Sequence, residues 1–92
     1  MSEKNTLHKI TLYSKEGCHL CENAREALFE LEDDFEIELE EVDITTDSAL
    51  FEKYKYTIPV MVVDASIVLE ARIDARKIYR ALAEGYGPKL KV

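Results

Sequence analysis

The chain has no Trp, three Gly, two Pro and two Cys in 92 residues, and its 12 basic residues are outnumbered by 19 acidic ones. So few glycines and prolines, with no low-complexity tract and 47% hydrophobic residues, exclude a disordered linker and leave enough apolar mass for one compact core. The shortage of bases argues against nucleic acid as a partner, because affinity for a phosphate backbone rests on Lys and Arg. No apolar run approaches the roughly 20 residues of a membrane span, and the start Met1-Ser2-Glu3-Lys4-Asn5-Thr6 has no apolar signal core. The expectation is a soluble, cytoplasmic, monomeric single domain over 1–92, with its core at about 8–84 and a loose tail over 86–92.

What charge there is lies unevenly. Residues 1–50 carry 14 acids and four bases, whereas residues 51–92 carry five acids and eight bases. Such asymmetry can orient a partner.

The hydrophobic pattern sets the order of elements. Ile10-Thr11-Leu12-Tyr13 is a β-rich run stopped by Ser14-Lys15-Glu16-Gly17, and Leu20, Ala24, Ala27, Leu28 and Leu31 then recur as one helical stripe, predicting a helix over about 18–32 with Leu20 in the core. Phe35-Glu36-Ile37-Glu38-Leu39-Glu40 alternates with period two, a strand with one wet face. Thr45, Thr46 and Asp47 are cap candidates for a short helix carrying Leu50, Phe51 and Tyr54, which must end before Ile58-Pro59. Val60–Val63 and Ile67–Leu69 flank Asp64-Ala65-Ser66 as a hairpin, although Ala65 replaces the preferred Gly. Asp74 is placed to cap a last helix with Ile78, Tyr79 and Leu82 on one face, ended by Gly85 and Pro88. The order β-α-β-α-β-β-α implies an α/β fold with a mixed four-stranded sheet flanked by helices.

Both cysteines fall in Cys18-His19-Leu20-Cys21, at the junction of the first strand and first helix. A sulfur on the first turn of a helix meets unpaired N–H groups and the positive end of the helix dipole, which favour thiolate over thiol. Cys18 is therefore the candidate nucleophile, and Cys21, one turn along, the candidate resolving thiol. His19 either adds to thiolate stabilisation or is simply solvated. Four zinc ligands would require both cysteines together with His8 and His19, a poor match to structural zinc spacing. Thr57-Ile58-Pro59 reads locally either as a cis proline beside an extended substrate or as a trans proline that ends the second helix.

Taken together, Tyr13 to Cys21, Val42-Asp43-Ile44 and Thr57-Ile58-Pro59 resemble the glutaredoxin-like branch of the thioredoxin superfamily, closest to its small Cys-His-Leu-Cys members. The resemblance implies a thioredoxin-like fold and a thiol-disulfide oxidoreductase in which Cys18 attacks, Cys21 resolves and Pro59 is cis. It further implies that Lys15 holds a ligand carboxylate, that the Thr57 and Ile58 backbone pairs with glutathione, and that Asp74 receives the ligand's amine unless it only caps its helix. No tightly bound cofactor is implied. Glutathione as a co-substrate meets two departures, since Glu70-Ala71-Arg72 stands where the family has Gly-Gly, and His19-Leu20 replaces the usual Pro-Tyr.

The expected partners are a disulfide-bearing protein or small thiol and an external reductant, because the chain has no flavin or nucleotide motif. The competing readings are a module that binds or delivers a metal or an iron-sulfur cluster, and a docking domain whose acidic first half meets a basic surface.

Overall fold

The structure is a computed structural model that describes residues 7–90. Strand β1 covers Leu7–Ser14, helix α1 His19–Glu30, β2 Glu36–Asp43, α2 Ser48–Tyr54, β3 Val60–Val63, β4 Ile67–Glu70 and α3 Ala75–Glu84, with a 3-10 turn at Ile44–Thr46 before α2. The four strands form one sheet in the order β2-β1-β3-β4, parallel between β1 and β2 and antiparallel elsewhere. This is the mixed sheet and thioredoxin-like fold expected from the sequence. Among the described residues no helix is long and apolar enough to cross a membrane.

Strand alternation decides which side chains meet the helices. Ile10 and Leu12 of β1, Met61 and Val63 of β3, and Ile67 and Leu69 of β4 share one face, and α1 and α3 close over it with Ala24, Leu28, Leu31, Ile78 and Leu82. Phe35, just before β2, is fully buried in that core, with its ring edge-on to His8 at 5.8 Å and to Tyr79 at 5.7 Å. On the opposite face α2 packs near the end of the sheet, where Tyr54 stacks on Tyr13 with ring centroids 4.6 Å apart.

Several local expectations hold for the reasons given. Asp47 caps α2 by accepting from the N–H groups of Ala49 and Leu50, Asp74 caps α3 through Lys77, and Gly85 ends α3 in the left-handed region. The β3–β4 turn sets both Asp64 and Ala65 at positive φ, the conformation for which Gly is preferred.

Three expectations are corrected. Leu20 is 36% exposed, and Cys21 takes its place in the buried stripe because α1 is rotated so that Cys21, Ala24, Leu28 and Leu31 face the sheet. Tyr79 is 43% exposed, and the buried face of α3 is instead Ile78, Ala81 and Leu82. The segment 86–90 is not loose. Val68 N–H donates to the Pro88 carbonyl at 2.9 Å, Lys89 bridges Ile67, and Arg80 lies 3.9 Å from the Tyr86 ring centroid. β4 is a sheet edge with open backbone groups, and the tail satisfies them. Gly87 makes the approach possible, since a Cβ there would stand 2.7 Å from the Ile67 side chain. Residues 91–92 of the expected loose tail lie outside the described residues.

The strand directions place one end of the sheet apart. Register pairs Ser14 with Asp43, Tyr13 with Val60 and Val60 with Glu70. The loop leading to Cys18, the Pro59 segment and the Glu70–Arg72 segment therefore all leave the sheet at that end.

Candidate active site

Cys18 is the residue that caps α1. Its backbone is extended (φ −90°, ψ 108°), and its Sγ accepts a hydrogen bond from the Cys21 N–H at 3.2 Å. The sulfur occupies the place where Ser or Asp usually caps a helix, so an otherwise unpaired N–H and the helix dipole both act on it. Gly17, at φ +81°, turns the chain into the helix, and the Cys18 N–H closes that turn on the Lys15 carbonyl at 3.3 Å. Cys21 is only 1% exposed, whereas Cys18 is half-buried. The two are joined as a disulfide, with Cα atoms 5.2 Å apart. An accessible sulfur at the helix end and a shielded one a turn deeper suit an outer attacking thiol and an inner resolving one.

His19 opens α1 and is exposed. Lys15 is also exposed and lines a recess of about 260 Å³ with Ser14, Glu16, Arg25, Glu41 and Asp43. The Ile58–Pro59 bond is cis, so the cis alternative is the one found. Pro59 is buried, Thr57 and Ile58 are half-buried, and Ile58 N–H already donates to the Tyr54 carbonyl at 3.1 Å. The Thr57 and Pro59 carbonyls accept from Ala71 N–H at 3.3 and 2.9 Å. Thus the backbone groups that the resemblance offers to glutathione are partly engaged inside the chain. Ala71 itself adopts φ +62°, so this segment keeps a glycine-like backbone while presenting side chains. Asp74, which the resemblance offers to a ligand amine, holds the Lys77 N–H at 2.9 Å as a helix cap. His8 lies at the opposite end of β1 from the dithiol, with Nδ1 2.7 Å from Asp64 Oδ2.

A clamp beside the dithiol went unread in the sequence. The Glu41 carboxylate accepts from Arg25 Nε and from the buried Ser14 hydroxyl, each at 3.0 Å, and a second Arg25 nitrogen completes a two-pronged ion pair. Ser14 ends β1 and Arg25 lies four residues beyond Cys21 on α1, so one carboxylate ties both sides of the Lys15–Cys18 loop to β2. The available signals were Arg25 as the lone base of α1 and Glu41 as the break in the alternation of β2.

The Arg25 hydrogen bond holds the Glu41 carboxyl below its ordinary 4.5, helped by Ser14 and opposed by burial, and the same pair raises Arg25. Asp43 is lowered by the Thr45 hydroxyl and N–H. Because folded Glu41 releases its proton more readily than the unfolded chain, the clamp stabilises the fold above the ordinary carboxylate value, and that share is lost as pH falls through the folded value. Both side chains are partly solvated, at 43% and 34% exposure, so Glu41→Gln should cost only about 0.5–1 kcal/mol at pH 7. Urea unfolding of both proteins at pH 7 and at pH 3 checks the sign. The gap should narrow in acid, and a gap that widens would contradict the clamp.

Comparison with known proteins now decides the family. The family model described as Glutaredoxin-like domain (DUF836) matches residues 9–83. The chain belongs to this glutaredoxin-like family. It is 34% identical over 76 residues to the "Glutaredoxin-like protein YDR286C homolog" of Dictyostelium discoideum, a match covering 76% of this chain and 70% of that protein. The X-ray structure of the structural-genomics target protein XcR50 from X. campestris superposes with a TM-score of 0.69 at 31% identity, covering 84% of this chain and 97% of the other. In this glutaredoxin-like chain the Cys18–Cys21 pair at disulfide distance fits a redox role.

Proposed function

We propose that this glutaredoxin-like protein is a thiol-disulfide oxidoreductase. The carrying observation is the Cys18 sulfur held as the cap of α1, accepting the Cys21 N–H, with Cys21 shielded one turn deeper. In the reduced protein the Cys18 thiolate attacks one sulfur of a substrate disulfide, forms a mixed disulfide and expels the other sulfur as a thiolate. Cys21, deprotonated, then attacks the Cys18 sulfur and expels the second substrate thiolate. The pair ends as the Cys18–Cys21 disulfide, having given two electrons, and an external dithiol or two monothiols restore it.

The substrate in this reading is a protein or small-molecule disulfide, with the Thr57–Pro59 segment and Lys15 beside it. Glutathione is a poor fit as a site ligand. Ile58 N–H and Asp74 already have partners, and Glu70 and Arg72 put side chains where a backbone approach would be needed. The reaction needs no tightly bound cofactor, and a monomer suffices for it. The cytoplasm, which keeps thiols reduced, is the compartment that suits a cycling dithiol.

Limited alkylation tests the assignment. With the reduced chain at neutral pH and iodoacetamide below one equivalent, the mass label should fall on Cys18 and arrive faster than in the urea-unfolded chain. Label on Cys21 first, or rates equal to those of the unfolded chain, would overturn it.

A further inference from the structure

A cleft of about 500 Å³ runs along the outer flank of α1. Its apolar floor is Leu28, Phe29 and Leu39, and its rim carries Glu22, Glu26 and Glu32. The cleft exists because β2 is an edge strand. Leu39 points to the core side but lies beyond the cover of α1, and it is 37% exposed. Phe29, on the same flank one turn after Arg25 and Glu26, is 72% exposed. Scattered apolar residues on a surface are ordinary, but an exposed aromatic and a half-open leucine facing one cleft are a recognisable anchor site.

The charged residues lining the cleft are three acids and one base, Arg25. Arg25 is ion-paired with Glu41 on β2 and also feels Glu22, so three rim carboxylates against one engaged base leave the rim net negative. The wider half of the chain to which they belong has 14 acids and four bases. We infer that this cleft docks a cationic, amphipathic segment of a partner protein, which seats an apolar side chain between Phe29 and Leu39 and sets Lys or Arg against Glu22, Glu26 and Glu32. The apolar floor supplies an anchor and the acidic rim supplies orientation and encounter rate. The cleft starts at Glu22, the residue after Cys21 on α1. The docking itself needs no thiol chemistry.

The test is an NMR titration of the isotope-labelled full chain with a helical Lys/Leu-repeat peptide as the probe and a Glu/Leu-repeat peptide as its control. Saturable shifts should appear over residues 22–32 and at Leu39 with the cationic peptide alone and weaken as salt is raised. Phe29→Ser and Glu26→Lys should each weaken binding by about tenfold or more with no fall in the thermal midpoint, while a Cys18→Ser, Cys21→Ser double variant should bind as the parent does. Equal binding of both peptides, shifts centred elsewhere, unaltered affinity in Phe29→Ser, or self-association through this face would each overturn the inference.

Discussion

Replacing Cys18 by Ser should abolish disulfide exchange, whereas replacing Cys21 by Ser should leave the first attack intact and trap a mixed disulfide on Cys18. The asymmetry follows from the positions of the two sulfurs on α1. Cys18 is the half-buried cap that receives the Cys21 N–H and the helix dipole, while Cys21 is sealed in the core stripe with Ala24, Leu28 and Leu31. A serine hydroxyl can still cap the helix, so the Cys18→Ser chain should keep its fold while losing its nucleophile. Reduction of a protein disulfide followed by intact-mass measurement reads both outcomes. Residual turnover in Cys18→Ser, or a trapped adduct that maps to Cys21 in a Cys18→Ser background, would reverse the roles.

The largest effect on stability is expected at Phe35. Its ring fills the space under β1 and α3, edge-on to both His8 and Tyr79, and the chain has few aromatics with which to replace it. Phe35→Ala should cost about 3–5 kcal/mol through lost transfer energy and a residual cavity. Single domains hold only about 5–15 kcal/mol, so the variant should be marginal, with a thermal midpoint lower by about 15–30 °C. Calorimetry or urea unfolding checks this. A loss below about 1 kcal/mol would mean that the core collapses around the missing ring and that the packing described for Phe35 is wrong.

Much of the architecture was readable because its signals are local. The stripe of α1, the alternation of β2, the two β-branched runs and the caps at Asp47, Asp74 and Gly85 each depend on neighbours within a few residues. The cysteine motif was readable for the same reason, since its chemistry depends on where a strand gives way to a helix. What escaped was long-range. The helical phase that exposes Leu20 and buries Cys21 is set by how α1 sits on the sheet, and either phase fits the apolar spacing. The docking of Pro88 and Lys89 on β4 depends on an open edge that only the folded sheet creates. The Arg25–Glu41–Ser14 clamp joins residues up to 27 positions apart, and Glu41 reads in sequence as one more acid in an acidic strand. Leu39 reads as half of a buried face, and only the edge position of β2 leaves it partly uncovered.

The departures around Glu70-Ala71-Arg72 were legible as residues but not as geometry. Ala71 keeps a left-handed backbone and donates to the Pro59 carbonyl, so the segment stays near the Pro59 turn and the change falls on what its side chains present.

The most direct measurement is a redox titration of the wild-type chain in graded ratios of reduced to oxidised glutathione, with the thiols quenched and the products weighed. The account predicts a reversible two-electron transition between the dithiol and the Cys18–Cys21 disulfide at a potential of about −270 to −180 mV, the span of working oxidoreductases. A pair that stays reduced across the whole series would contradict it, and the cysteines would then belong to metal binding or to structure.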